Sequence, residues 1–166
     1  MAENLITEEM KAAIGKESEP TTYEVDKTAV RMFARAVGHT DQVFYDEEEA
    51  KRRGYRSLPA PPHYLGTPIF NPKHSDPTFG GRRGGMREFN TGLKRRLNGG
   101  TEIEYFNKGP EDAICAGDVL TATSHIADIQ QRQGGIGTML ITTTETTYKN
   151  QLGQVVAKVR GTGIQY

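Results

Sequence analysis

The chain has 166 residues and a formal net charge of zero, with 21 basic and 21 acidic side chains. One domain is expected at this length, with a core that buries about 70% of the unfolded surface. The charge balance argues against a chain-wide affinity for nucleic acid or anionic membranes. No apolar run is long enough to cross a bilayer, and the N-terminus lacks the pattern of a signal peptide. A single cysteine, Cys115, excludes an internal disulfide and favours a cytoplasmic location.

The first part of the chain alternates helix and strand signals. Thr7 is a good cap for a short helix that Gly15 ends, and residues 21–25 have the composition of a strand. Asp26 then caps a second helix. The apolar residues of that helix recur at the spacing of a stripe that faces the core. They are Val30, Phe33, Ala34 and Val37.

Residues 46–54 carry the signals of a third helix. Asp46 is the predicted N-cap, acidic residues fill positions 47–49 and basic residues fill 51–53. This distribution stabilises the helix dipole, and Gly54 can adopt the left-handed conformation that ends a helix. Pro61 begins a fourth, central helix. Pro68 limits that helix to about two turns.

The rest of the chain is predicted to be a proline- and glycine-rich excursion at about 68–100, followed by strands. The predicted strands cover 101–107, 118–129, 138–148 and 155–164, with a hairpin at Gly134-Gly135. In the first of them Ile103 and Tyr105 alternate with glutamates, as in a half-buried strand. Helices first and an antiparallel meander afterwards indicate a single α+β domain over residues 1–166.

The loop GHTDQVFYD at 38–46 and the segment APPH at 60–63 resemble the MaoC-like hydratases and dehydratases, in particular their N-terminal dehydratase domain. In catalytic members the loop reads Gly-Asp-x-Asn-Pro-(Ile/Leu)-His-x-Asp, and Ala-His-Gly opens the central helix. Gly38, Val43 and Asp46 match the loop, and Ala60 matches the alanine. The resemblance covers about residues 10–166. It implies a hot-dog fold, in which an antiparallel sheet wraps around a central helix that is short here.

The residues that carry catalysis in the family are replaced in this chain. His39 stands at the position of the catalytic aspartate and Phe44 at that of the catalytic histidine. Pro62 stands where a backbone amide receives the thioester oxygen in catalytic relatives, and proline has no amide hydrogen. One such donor contributes about 2.7–4 kcal/mol to transition-state stabilisation. The resemblance therefore implies a hot-dog half with no catalytic residues of its own.

The resemblance also implies a role in lipid metabolism. The expected role is the subunit that accommodates the substrate in a heteromeric (3R)-specific enoyl-CoA hydratase or 3-hydroxyacyl-CoA dehydratase, a hydro-lyase. Its partner would be a catalytic MaoC-like hot-dog chain, in a heterodimer or heterotetramer. Coenzyme A enters as part of the substrate, and no cofactor is expected. The short central helix leaves room for a long or bulky acyl group. The implied substrate-binding residues are Phe44, Pro62, His63, Tyr64, Arg82, Arg83 and Arg87.

Several residues have an alternative interpretation. An active homodimeric hydratase or thioesterase would use His39 as a general base with Asp41 as its partner. Otherwise His39 is a polar loop residue and Asp41 orders the loop. The three arginines at 82, 83 and 87 either contact coenzyme A phosphates or form a solvated basic face. A non-enzymatic acyl-CoA-binding protein is a further alternative. The histidines lack metal-ligand spacing, so no metal site is expected.

Overall fold

The computed structural model describes residues 4–66 and 89–166. The arginines at 82, 83 and 87 and most of the excursion predicted at 68–100 lie outside these residues. No helix in the described ranges is both long and apolar enough to span a membrane.

The N-terminal elements follow the predicted order. They are α1 (Glu8–Ala13), β1 (Thr21–Glu24), α2 (Lys27–Ala36) and α3 (Glu47–Arg52). Each helix begins after its predicted cap, because the side chains of Thr7, Asp26 and Asp46 accept hydrogen bonds from amides of the first turn. Gly54 has a φ of 89°, so α3 ends as predicted.

The apolar stripe predicted for α2 is correct for all but its last residue. Val30 and Ala34 are fully buried, and Phe33 packs partly buried against the same core. Val37 is 52% exposed, so its place in the core was wrong. The helix ends at Ala36, and Val37 is its C-cap with a ψ of 5°, so Val37 does not continue the helical stripe that faces the core.

The remaining strands form the C-terminal part of the domain. They are β2 (Arg96–Tyr105), β3 (Val119–Gly134), β4 (Gly137–Lys149) and β5 (Val155–Gln165). The predicted hairpin is confirmed, since Gly134 pairs with Gly137 across the turn. β2 starts at Arg96 rather than at the predicted Thr101, because an irregularity between Asn98 and Gly100 interrupts the alternation there.

The five strands form one antiparallel sheet in the order β1-β3-β4-β5-β2. The predicted meander is therefore wrong at β2, which pairs with β5 instead of its sequence neighbour β3. β3 pairs with the short β1 at one end. The segment before β1 covers more of the same edge, since Gly15 and Ser18 donate backbone hydrogen bonds to Ile126 and Ser124 of β3.

The segment from Pro61 differs from the predicted α-helix. Within its described part, residues 61–66, the only regular element is a 3₁₀ turn at Tyr64–Gly66. His63 has a φ of 66°, which lies outside the right-handed helical region and interrupts an α-helix at that residue. Residues 67 and beyond of the predicted central helix lie outside the described residues.

The buried side chains form two clusters on the inner face of the sheet. The main core surrounds Leu58, Tyr64, Leu120 and Tyr148, and a smaller core surrounds Met10 and Leu140. Between Leu140 and Tyr148, the inner face of β4 carries threonines, and the inner face of β5 carries two glycines and the partly buried Val159. We call this surface the inner lane, which consists of Thr142, Thr144, Thr146, Val159, Gly161 and Gly163.

Candidate functional site

The loop between α2 and α3 carries the residues that replace the catalytic pair. The amide of His39 donates to the carbonyl of Ala34 at 2.9 Å, which fixes the start of the loop on the end of α2. The hydroxyl of Tyr45 donates to the carbonyl of His39 at 2.5 Å. The backbone of His39 is therefore held from both sides, and its side chain is half-buried.

The imidazole of His39 lies against the ring of Phe44. The ring centroids are 5.1 Å apart and the planes are tilted by 38°. Phe44 in turn packs partly buried against the main core. The structure thus places these two residues as neighbours. Phe44 has no proton to exchange, so the pair cannot supply a general acid and a general base.

Asp41 is occupied by structural contacts. One carboxylate oxygen accepts from the amide of Val43 at 3.1 Å, and the other accepts from the guanidinium of Arg53 at 2.9 Å. The bond from Val43 and then the contacts with Arg53 lower the pKa of Asp41. Within the described residues, no hydrogen bond joins Asp41 to His39. This is the geometry of a side chain that orders the loop and ties it to the end of α3.

The segment that resembles the thioester-binding turn is anchored to the loop that precedes β3. The amide of Ala60 donates to Ile114 and the amide of Ala116 donates to Leu58, each at 2.8 Å. Pro61 is buried, whereas Pro62 and His63 are exposed. Tyr64 is only 2% exposed, and its ring packs edge-on against Phe33 at 5.8 Å. Of the predicted substrate-binding residues in this segment, Pro62 and His63 face solvent and Tyr64 belongs to the core.

An ion pair missing from the predictions holds this segment in place. The guanidinium of Arg56 donates to both carboxylate oxygens of Asp118, at 2.8 and 2.7 Å. The side chain of Asp118 is 4% exposed and also accepts from the Cys115 amide and from Gln151. Burial alone would raise the pKa of Asp118, but these donors outweigh burial and lower it. The sequence offered no signal for this pair, because its members lie 62 residues apart.

Three tyrosine side chains lie beneath the same segment. The hydroxyl of Tyr148 donates to the carbonyl of Leu65 at 3.4 Å. Burial, followed by the neighbouring Tyr23 and Tyr105, raises the pKa of Tyr148 to about 12. The alternation of apolar and acidic residues in β2 predicted that Tyr105 lies on the inner face of the strand. This alternation was the only feature of the sequence to indicate that its hydroxyl would be buried. These tyrosines are neutral at physiological pH.

No cluster in the described ranges is arranged as a metal site, since no group of three or more His, Cys, Asp or Glu is suitably placed. The predicted role of Arg82, Arg83 and Arg87 at coenzyme A phosphates stays a prediction, because these residues lie outside the described ranges. The described site thus has three parts. They are a loop in which His39 lies against the non-ionisable Phe44, an exposed turn without an amide at Pro62, and a group of buried tyrosine hydroxyls.

Comparisons with known proteins agree with the fold and the loop resemblance. The sequence profile of the family described as "FAS1-like, dehydratase domain region" matches residues 12–159. A UPF0336 protein of Streptomyces avermitilis is 31% identical over 125 residues, which is 73% of each chain. A UPF0336 protein of Saccharopolyspora erythraea is 30% identical over 125 residues, covering 73% of this chain and 70% of the relative.

Solved structures, among them dehydratases, share the fold. The (3R)-hydroxyacyl-ACP dehydratase complex HadBC of Mycobacterium tuberculosis superposes with a TM-score of 0.67 at 24% identity, over 92% of this chain and 96% of the other. The ChsH1–ChsH2 complex of the same organism gives 0.71 at 14% identity, over 95% and 87%. The chain therefore belongs to the FAS1-like dehydratase-domain family and has the MaoC-like hot-dog fold.

Proposed function

We propose that this chain is the non-catalytic, substrate-accommodating subunit of a heteromeric (3R)-specific enoyl-CoA hydratase or 3-hydroxyacyl-CoA dehydratase. The observation that carries the proposal is the contact of His39 with Phe44 at 5.1 Å. A general base requires a group that orients it and an acid that completes the proton transfer. His39 faces a phenyl ring instead, and Asp41 is bound to Val43 and Arg53.

A catalytic partner chain is supported by two features. Two structures with this fold, HadBC and ChsH1–ChsH2, are complexes of two named components. In addition, β2 ends the order of described strands, so one of its edges has no strand neighbour among them. Its residues 96–102 are exposed, including Leu97 at 50%. An edge of this length is a site for pairing with another chain. We propose that a catalytic hot-dog subunit covers this edge in a heterodimer or heterotetramer.

The inner lane supports a long or bulky acyl group as the cargo. The position of Gly163 leaves space, since a Cβ there would meet only the Thr142 carbonyl, at 3.9 Å, whereas a Cβ at Gly161 would lie 3.3 Å from the Thr144 hydroxyl. Both flanking clusters are apolar, so a chain that follows the lane exchanges water for apolar contact at either end. We also propose that the substrate is contacted by residues around the turn that leads to this face, namely Phe44, Pro62, His63 and Tyr64.

Copurification followed by a substrate panel tests the proposal. A tagged copy of this chain, expressed in its own host, is expected to bring down a hot-dog chain that has the Asp and His of the catalytic motif. The complex should hydrate long or ring-bearing 2-enoyl-CoA thioesters in preference to crotonyl-CoA. A preference for crotonyl-CoA over every bulky substrate would overturn the acyl-group proposal. Acyl-CoA binding by a chain that has no catalytic partner would favour a binding protein instead.

A further inference from the structure

The outer face of the sheet, opposite the two buried clusters, carries a row of apolar residues. Leu140 points into the smaller core, so Ile141 lies on the outer face, because successive side chains of a strand alternate between faces. Ile141 pairs with Ile164 of β5, and Ile164 pairs with Leu97 of β2. We call these three residues the apolar row. None of them belongs to either buried cluster of the described residues, and Leu97 is 50% exposed.

A row of alternating charges crosses the same face. Glu145 lies opposite His125 of β3 on one side and Arg160 of β5 on the other. Arg160 in turn lies opposite Glu102 of β2. The guanidinium of Arg160 donates to the Glu145 carboxylate at 2.9 Å, so their side chains share one face. From β3 to β2 the order is therefore histidine, acid, base and acid, and we call these four residues the charged row.

This pattern is unsuitable for several kinds of partner. A nucleic acid or an anionic membrane requires a surface of one charge sign, whereas the charged row contains both signs. An amphipathic helix requires an apolar groove along its length, but the charged row interrupts the face beside the apolar row. A second copy of the same face offers both charge signs and an apolar row of its own.

The charged row is complementary to itself under one two-fold axis. A two-fold contact brings the same surface of two copies together. An axis that runs along the strands between β4 and β5 places β4 over β5 of the second copy, and β3 over its β2. Glu145 then faces Arg160 of the second copy, and His125 faces Glu102 of the second copy. Each member of the charged row thus meets a group with which it forms an ion pair or a hydrogen bond.

The same axis also matches the apolar row. Ile141 lies over Ile164 of the second copy, so these side chains exchange water for apolar contact. Moving the axis onto β4 or β5 would place Glu145 or Arg160 against itself, and like charges in contact are unfavourable. Moving it by a whole strand spacing would leave half of each row without a counterpart. The position between β4 and β5 is therefore the one that satisfies both rows.

We infer that the outer face binds a second copy of this chain, back to back, through the apolar and charged rows. The four strands β3, β4, β5 and β2 form a face about eight residues long, which gives roughly 500 Å² on each copy. The total of about 1,000 Å² is at the lower limit for a specific interface, so the contact is reversible. This contact is independent of the function proposed above, because the catalytic partner proposed there covers the free edge of β2. Where both contacts form, two complexes join into a heterotetramer.

Sedimentation equilibrium of the purified protein, together with its catalytic partner where one copurifies, counts the copies of this chain. We expect two copies at about 100 μM and one copy on dilution. Glu145→Arg and Arg160→Glu each place like charges opposite each other across the axis. Each substitution should therefore weaken self-association by about tenfold or more.

The combined exchange, Glu145→Arg with Arg160→Glu, separates a second copy from any other partner. It restores opposite charges within each copy and across the axis, so self-association should return to near the wild-type strength. A different partner has its own unchanged charges and would not bind the exchanged pair. A combined exchange that folds and does not restore two copies would overturn the inference.

Ile141→Asp tests the apolar row independently and should also weaken self-association by about tenfold or more, because it places a charge in the apolar contact. The matched control is Met32→Asp, which adds the same charge at a 67% exposed residue of α2 and should leave the copy number unchanged. If a charge variant fails to fold, this comparison decides alone.

Two further results would overturn the inference. One is a wild-type protein with a single copy of this chain at about 100 μM. The other is two copies that persist in Ile141→Asp and in both single charge reversals. In either case the proposed function stands, since hydration by the complex is measured separately.

Discussion

His39 has the right chemistry for a general base and the wrong neighbours. Its imidazole lies on the ring of Phe44, and the nearest carboxylate in sequence, Asp41, is engaged elsewhere. This arrangement does not support catalysis of hydration, because the reaction needs a general acid as well as a general base. The same contacts give both residues a structural role, since they hold the loop against α2 and α3.

His39→Ala is therefore expected to leave the turnover of the complete enzyme within about twofold of the wild type, because no proton passes through this residue. Initial rates of enoyl-CoA hydration by the complex check this. Substitution of the catalytic histidine of the partner is the positive control. A loss of a hundredfold or more in His39→Ala would instead assign the general base to this chain.

The Arg56–Asp118 pair is expected to contribute strongly to stability. Arg56→Ala leaves a buried carboxylate without its main partner. We expect this substitution to lower the free energy of unfolding by about 2 kcal/mol. This value is below the range for fully buried pairs because Arg56 is half-exposed. Urea unfolding at pH 7 measures the change. Arg53→Ala is the matched control, since it removes exposed pairs with Asp41 and Glu49 and should destabilise the protein much less than Arg56→Ala. Equal effects of the two substitutions would contradict this account.

The stability from Asp118 should depend on pH with a defined sign. Because its pKa is lowered in the folded protein, the contribution is present above the unfolded value and is lost as the pH falls through the folded pKa. Arg56→Ala removes the first of the lowering contacts. The difference in unfolding free energy between wild type and Arg56→Ala should therefore shrink below about pH 4. A difference that stays constant from pH 7 to pH 3 would show that the charge of Asp118 is irrelevant.

At the scale of the elements, we expect the inner lane, as the proposed acyl path, to determine which acyl groups fit. Gly163 faces this lane, a Cβ there would make only an ordinary van der Waals contact with the Thr142 carbonyl, and its φ is compatible with other residues. Gly163→Val is expected to reduce hydration of the longest or bulkiest enoyl-CoA by about tenfold or more and to spare the shortest. The ratio of kcat/KM values across a chain-length series is the measurement.

Thr162→Val, on the opposite face of β5, is the matched control for the lane and should leave the series unchanged. Uniform loss of activity in Gly163→Val at every chain length would indicate damage to the sheet. An unchanged series would remove the lane from the acyl path.

Local features of the elements were predictable because their causes lie close in sequence. The cap at Asp46, the stop at Gly54 and the hairpin at Gly134 each depend on a few neighbouring residues. The pairing of β2 with β5 depends on contacts between residues up to 69 positions apart, such as Arg96 with Gln165, which no local pattern encodes. The left-handed conformation of His63 was equally hidden, since bulky residues rarely adopt it.

The replacement of the catalytic residues was predictable from the sequence, whereas the contacts that the replacing residues make were not. The replacements at His39, Phe44 and Pro62 follow from position within the motif. The stacking of His39 on Phe44 required the folded loop, and the engagement of Asp41 by Arg53 required the end of α3 to return to it. The unpaired hydroxyl of Tyr105 depends on how β2 meets the turn after Pro61, so only the assembled sheet reveals it.

At the scale of the molecule, the fold is complete although the residues that carry catalysis in the family are replaced. The sheet, its two cores and the buried Asp118 network position a loop and a turn that hold no acid–base pair. One edge of β3 is covered by the N-terminal segment, whereas the outer edge of β2 has no neighbour among the described strands. This asymmetry fits a subunit that shapes an acyl path and offers one edge to a partner.

The most direct test of the central claim is the rate of enoyl-CoA hydration by the isolated chain, measured at the concentration at which the complex is active. We expect no hydration above the uncatalysed rate by the chain alone, and hydration on addition of the catalytic hot-dog partner. Hydration by the isolated chain that Phe44→Ala leaves unchanged and His39→Ala abolishes would contradict the account and make this subunit the catalyst.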